Sequence, residues 1–412
     1  MMSRDEGSAM TVTEKATTTE VDELVDQLVA ELPPTSTDPV AFLGAQFDRG
    51  LAWVHFPEGC GGVGGTPADQ VRAQRRLQSK GAPPAMFRNV IGYGMVAPTI
   101  VVHGTERQKE RYLRPLFTGE EVWCQLFSEP GAGSDVAGLS SRAVRDGDEW
   151  IVNGQKVWTT LAHLSRFGLL LARTDPDLPK HAGMTMFLVD MQGPGVDVRP
   201  LHQITGEAEF NECFFTDTRI HDEDRLGGVG EGWGVALTTL MNERVSIGGN
   251  AAPRSSGPIG EAIRLFKERL RGDTDPRAAV LRDEVLQAWV RSEVLRLTNQ
   301  RAADARRRGT PGPEGSVAKL AFAEENKRIY ELCVDLMGAD GMLYGSEYPQ
   351  SRPTHTAIGT TDLHKAFLRS RANSIEGGTS EVMRNILGER VLGLPSDVRA
   401  DKGIPWKDVP RS

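Results

Sequence analysis

From about Pro276 to Arg308 the apolar residues keep a helical spacing without interruption. At a rise of 1.5 Å per residue that stretch would be about 50 Å long. A helix of this length buries its apolar side only along other helices, so this part of the chain must form a bundle. Gly309 to Gly315, with two prolines, ends the run, and further helical patterns follow at about 316–337, 362–373 and 380–393. The other end of the chain is helical too. Val21, Leu24, Val25, Leu28, Val29 and Leu32 make a strict stripe that stops at Pro33-Pro34, and helical pieces continue to about residue 122. One covers Ala68 to Ser79; another starts after Thr105, which reads as its N-cap.

Near Trp123 the period changes. Short apolar runs appear at Trp150–Val152, Gly168–Ala172, Met184–Asp190 and Glu212–Phe215, separated by Asn-Gly, Asp-Gly and Gly-Pro. No helix-length pattern lies between them, which predicts an antiparallel barrel or sandwich rather than a parallel α/β sheet. The expected organisation is a loose leader at 1–20, a helical domain at 21–122, a β domain at 123–231 and a helical domain at 232–412. The leader has neither a basic start nor an apolar core, so it does not read as a signal peptide.

Composition narrows the function classes. Lys and Arg number 48 against 56 Asp and Glu, a net charge of -8 that gives nucleic-acid binding no support. The apolar runs are far shorter than the ~18 residues of a membrane span. Cys60, Cys124, Cys213 and Cys333 form no CxxC pair and have no histidines at zinc-ligand spacing, so no metal site is expected and a reducing cytoplasm fits best.

Four local patterns carry chemistry. The first, Glu129-Pro130-Gly131-Ala132-Gly133-Ser134-Asp135, has glycines that let backbone amides approach a ligand, although a tight surface turn would read the same. The second is Asn153-Gly154-Gln155-Lys156-Val157-Trp158-Thr159-Thr160, read as a hairpin turn leading into an indole between hydroxyls. An aromatic face there suits a flat heteroaromatic ligand, while a core Trp is the plain alternative. In the third, Leu237, Leu240, Met241 and Arg244 share one helical stripe with Glu243 at its edge. Desolvation beside an apolar cavity would raise that carboxyl, as a base acting on a C–H needs; an ion pair with Arg244 is the other reading. The fourth, Glu376-Gly377-Gly378-Thr379-Ser380-Glu381, is a capped helix start able to face an anion or carbonyl, though capping alone explains it. Gly59-Cys60-Gly61-Gly62-Val63-Gly64 satisfies GxGxxG but lacks a surrounding βαβ unit and an acidic residue about twenty positions on. It reads as a glycine-rich loop between helices.

Taken together and in order, with Gly230-Glu231-Gly232-Trp233 ahead of Asn242-Glu243-Arg244, these segments resemble the acyl-CoA dehydrogenase family over about residues 20–395. The resemblance implies an N-terminal helical domain, a middle antiparallel β-barrel and a C-terminal four-helix bundle, with FAD between barrel and bundle. It places Gln125, Leu126, Phe127, Ser128, Ser134, Trp158, Thr160, Gly338, Thr379 and Glu381 at the cofactor, and Ser134, Met241, Arg244 and Gly377 along the acyl-CoA channel. The implied reaction is α,β-dehydrogenation of an acyl-CoA thioester to the trans-2-enoyl-CoA: a glutamate takes the α-proton and the β-hydrogen leaves as hydride to flavin N5. Electrons then pass to an electron-transfer flavoprotein.

Many members carry their base as the Glu of Tyr-Glu-Gly-Thr. Here an ungapped match puts Gly377 at that position, which keeps a backbone amide but no carboxylate. A minority place the base on the bundle helix just before an Arg, where this chain has Glu243. Glu243 is therefore the expected base and Glu376 the second candidate. The Arg-x-x-Phe-Gly signature of the neighbouring subunit's cofactor contacts is absent, and Gln-x-x-Gly-Gly-x-Gly survives only as Asp335-Leu336-Met337-Gly338-Ala339-Asp340-Gly341. Similar losses in bacterial relatives acting on sterol side chains suggest a bulky or branched substrate, in a homo-oligomer or a heterotetramer with a related subunit. The competing readings are a flavin-dependent monooxygenase of the same fold, which needs no carboxylate at 243, and a non-catalytic partner subunit.

Overall fold

The computed structural model of the 412-residue chain describes residues 18–248, 253–307, 312–344, 350–356, 360–399 and 401–410, with the side chains of 18, 243–248 and 306–307 outside that description. The helices ahead of the sheet are α1 (Thr18–Glu31), α2 (Pro39–Asp48), α3 (Pro67–Ser79), α4 (Ala97–His103) and α5 (Glu106–Thr118). Contacts divide the chain into two units, the first taking the described residues to Ala85 together with Lys109–Glu120.

In this first unit the stripe read from the sequence does what its spacing requires. Val21, Val25 and Leu28 are fully buried against Phe42, Leu51, Val54, Ala73 and Leu77, with Leu24, Val29 and Leu32 at the margin. Burial of each large side chain contributes about 1.5–3 kcal/mol. Thr66 and Asp69 form a reciprocal capping box that starts α3. The Gly59–Gly64 segment is a loop between α2 and α3, as expected. A Cβ at Gly62 would sit 2.1 Å from the Phe56 carbonyl oxygen, so glycine is needed for packing rather than for a phosphate.

The second unit holds Met86–Gln108 and everything from Glu121 onward. A reciprocal pair between Thr105 and Gln108 closes the first turn of α5, in line with the N-cap expectation. The strands are β1 (Trp123–Leu126), β2 (Arg142–Asp146), β3 (Glu149–Thr160), β4 (Phe167–Arg173), β5 (Met184–Asp190), β6 (Val196–Pro200), β7 (Phe210–His221) and β8 (Arg225–Leu226). They form one sheet in the order β6-β7-β3-β2-β4-β5-β8, with β1 beside β4. Pairing is antiparallel except for β1 with β4 and the single β2–β4 contact, which are parallel. The residues between β1 and β4 supply the long connection a parallel pair needs.

One local expectation fails here. Asn153-Gly154 is not a hairpin turn; β3 runs through it as a bulge. Asn153 exchanges hydrogen bonds with Asp217, donating to its carboxylate at 2.9 Å and accepting from its backbone N–H at 3.0 Å. A Cβ at Gly154 would lie 2.2 Å from Ser141 Oγ, so close approach, not reversal, requires the glycine. The reversal is Asp146-Gly147-Asp148-Glu149, where Gly147 has φ 65°.

The remaining helices are α6 (Gly232–Gly248), α7 (Pro258–Arg269), α8 (Pro276–Arg307), α9 (Glu314–Met337), α10 (Leu363–Ser370) and α11 (Ser380–Ile386). The long helix predicted over 276–308 is α8. It packs with α7 and α9 around Ile259, Leu265, Leu281, Val285, Ile329, Leu332 and Leu336. The break expected at 309–315 lies partly outside the described residues. Along α6, Thr239 and Thr238 meet Thr99 and His103 of α4 through hydroxyl and imidazole contacts of 3.0 and 2.8 Å. No described helix is long and apolar enough to cross a membrane, and no described cluster of His, Cys, Asp and Glu could hold a metal ion.

Candidate active site

The loop after β1 is locked to strand β3 by one buried ion pair. After β1, Glu129 and Ala132 close a tight turn through reciprocal backbone hydrogen bonds of 3.0 Å. The Glu129 side chain points inward and accepts from the N–H groups of Ser140 (2.6 Å) and Ser141 (2.9 Å) and from Lys156 Nζ (2.8 Å). Lys156, fully buried on β3, also donates to the Phe127 carbonyl at 3.0 Å, and Val157 N–H reaches the Ser128 carbonyl at 2.9 Å. Burial works to raise the Glu129 carboxyl, but the Lys156 charge and the hydrogen bonds outweigh it and hold the group below the usual carboxylate range. The Lys156 and Val157 donors fix the first two sequence patterns against each other, while Ser140 and Ser141 hold the Glu129 carboxylate in place.

On that frame β3 presents Trp158. A register irregularity between Lys156 and Thr159 turns the residue outward with φ 59°, a left-handed conformation that costs an L side chain of order 1 kcal/mol. The indole is 58% exposed, in a strand whose neighbours Val157 and Thr159 are buried, and it meets the Phe210 ring edge-on at 5.8 Å. Thr160 is half-buried and pairs with Phe210 across β7. Nearby, Gln125 on β1 has a buried Oε1 with no hydrogen-bond partner among the described residues. Leu126 and Phe127 are buried and Ser134 is exposed. A Cβ on Gly131 or Gly133 would meet nothing within 4 Å, leaving open space beside their backbone. An orphaned acceptor, an outward aromatic face and an open glycine loop fit a flat heteroaromatic group with polar edges.

The fourth sequence pattern reaches the same place through Arg369 of α10. Its guanidinium lies 5.4 Å from the Phe210 ring, pairs with Glu209 at 2.9 Å and forks onto Glu376 at 2.9 and 3.2 Å. Asn373 adds a donor to Glu376 at 2.7 Å. Glu376, the second base candidate, is thus tied into an ion pair. Burial raises the Glu209 carboxyl in spite of Arg369. The following Gly377 and Gly378 have φ 63° and 90°, and buried Lys319 of α9 donates to the carbonyls of Asn373 (2.9 Å) and Gly378 (2.5 Å). Thr379 caps α11, accepting from Val382 N–H at 3.1 Å, whereas Glu381 is exposed and pairs with Arg384. Gly338, with φ 62°, ends α9, and Arg269 fastens it through the Met337 carbonyl at 2.9 Å.

The third pattern behaves differently from its helical-wheel reading. Val235, Ala236 and Thr239 form the buried face of α6, while Leu237 and Met241 are 43% and 64% exposed. Contacts with β5 and α4 select the smaller side chains as the packing face and leave the apolar stripe open. Glu243 and Arg244 continue α6 by backbone; their side chains lie outside the described residues.

Family models for the acyl-CoA dehydrogenase N-terminal, middle and C-terminal domains match residues 12–120, 124–218 and 230–392. The chain belongs to the acyl-CoA dehydrogenase family. Members of that family are FAD-binding flavoproteins and oxidoreductases, and share the three-domain helical, sheet, helical architecture. Acyl-CoA dehydrogenase IpdE1 of Mycobacterium tuberculosis is 36% identical over 85% of this chain and 86% of its own length. Acyl-CoA dehydrogenase FadE34 of the same organism is 38% identical over 84% of this chain, which spans 45% of that longer relative. A solved structure described as the Tcur3481–Tcur3483 steroid ACAD is similar at 25% identity and a TM-score of 0.67, covering 94% of this chain and 100% of that one.

Arg369, Glu209, Phe210, Lys319 and the Glu129–Lys156 pair are the groups that sequence reading passed over. Arg369 and Glu209 stand 160 residues apart, beyond any local pattern. Lys156 left a usable signal: a cation at an inward strand position, with an acidic residue just after the end of β1.

Proposed function

We propose that this protein performs the FAD-dependent α,β-dehydrogenation of an acyl-CoA thioester. The observation that carries the reading is the convergence of the outward Trp158 face, through Phe210 and Arg369, with the turn that bears Gly377. Gln125 to Ser128, Ser134, Trp158 and Thr160 would hold the isoalloxazine and its polar edges, with Gly338, Thr379 and Glu381 as further cofactor contacts. Bound there, FAD supplies a two-electron acceptor for the hydrogen that leaves the β-carbon.

The chain's own residues do the rest. Glu243 takes the α-proton, a role supported by its place on α6 before Arg244 and by the engagement of Glu376 with Arg369 and Asn373. The Gly377 N–H, on a turn that Lys319 fixes, would polarise the thioester carbonyl and so acidify that proton. Exposed Leu237 and Met241 would line the acyl channel beside Ser134. Arg244 would meet the CoA ester's charge, which the net charge of -8 otherwise repels.

Electrons would leave for an electron-transfer flavoprotein, in the cytoplasm, where four buried thiols are at home. The relative described as a steroid ACAD supports a bulky acyl group and a second, related subunit. Val290, Val294 and Leu297 of α8, each about half exposed at helical spacing, form an apolar stripe suited to a subunit contact. Anaerobic titration with straight, branched and steroid-type acyl-CoA esters tests the reading. At least one ester should bleach the flavin and yield its 2-enoyl product; a flavin-loaded protein that no ester bleaches contradicts it.

A further inference from the structure

Arg369 is one guanidinium serving three groups. It holds Glu209 from the β7 entrance and Glu376 from the turn before α11, and it stacks on Phe210, the ring that backs Trp158. Its fork onto Glu376 uses both carboxylate oxygens, which fixes orientation as well as distance. The side chain ahead of Gly377 and the ring behind Trp158 are therefore joined through this guanidinium.

We propose that Arg369 is a positioning residue for the dehydrogenation: it sets the Gly377 turn against the Trp158 edge of the sheet and keeps Glu376 out of proton transfer. The proposal deepens the dehydrogenase reading and rests on it. One cation between two carboxylates is a deliberate imbalance, because it ties up the second carboxylate of the cleft and leaves Glu243 alone to exchange the substrate proton. Arg369 of α10 links Glu376 to Glu209; beyond that cluster Lys365 of α10 pairs with Glu207, Lys319 of α9 holds the Gly378 carbonyl, and Lys327 pairs with Glu324 on α9. Arg369 forms a direct, two-pronged ion pair with Glu376.

The test compares native holoenzyme with Arg369→Met, Arg369→Lys and the double variant Glu209→Gln/Arg369→Met, which removes the buried carboxylate's charge together with its partner and so protects the fold. Three quantities are read: the visible circular dichroism of the bound flavin, the anaerobic bleaching rate with the ester that best bleaches the native protein, and the pH profile of that rate. Loss of the guanidinium should change the flavin dichroism, slow bleaching about 10- to 100-fold and add a carboxylate ionisation to the profile. Arg369→Lys should keep the native profile, since its charge remains, while failing to restore the rate. Native dichroism, rate and profile in the double variant would overturn the positioning role and leave the dehydrogenase reading standing. A native protein that holds flavin yet is bleached by no ester would overturn both.

Discussion

Asp222 ties the sheet's edge together through Arg225 at 2.9 Å and the Trp150 indole N–H at 2.7 Å. These hydrogen bonds, against a smaller effect of burial, hold its carboxyl at about 2, below its ordinary 3.8. Between those values the unfolded chain binds the proton that the folded chain refuses, so stability rises with pH there. The contribution is full above pH about 4 and is lost as pH falls through about 2, amounting to about 2 kcal/mol for this partly shielded group. Urea unfolding of native protein and Asp222→Asn should therefore differ by that amount near pH about 5 and converge toward pH about 2. A constant difference across that range would show that the pair does not set the acid limb.

At the scale of elements, the bulged strand β3 depends on Lys156 reaching Glu129. Lys156→Met leaves a buried carboxylate without its cation and should cost about 3–5 kcal/mol, whereas Glu129→Gln/Lys156→Met should recover a large part of that loss. Thermal unfolding of the three proteins decides it, and equal losses in the single and double variants would contradict the buried-pair account. The elements themselves were legible wherever their signal is local. The Val21 stripe, the Pro276 helix, the Met184–Asp190 strand and the Thr379 cap each follow from a few neighbouring residues. Asn153-Gly154 was misread because Asp217 and Ser141, distant in sequence, make it a bulge. The α6 stripe was misread because a helical wheel cannot tell which face its neighbours will cover. Arg369 was invisible for the same reason, since its partners come from the start of β7, the residue just ahead of it and the turn before α11.

For the whole molecule, the proposed assembly rests on the exposed apolar stripe of α8. Light scattering on the native protein should give a mass at least twice the 45.0 kDa of one chain. Val290→Asp with Val294→Asp should bring it down to a single chain. Equal masses for native protein and variant would contradict α8 as the contact.

The proposed role of Glu243 is to take the α-proton of an acyl-CoA thioester in a flavin cleft. It is tested most directly by mixing the effective ester anaerobically with native protein and with Glu243→Gln, each loaded with FAD, and following the flavin absorbance. Native flavin should bleach, while the variant should keep its bound FAD yellow. Normal bleaching in Glu243→Gln would contradict the assignment.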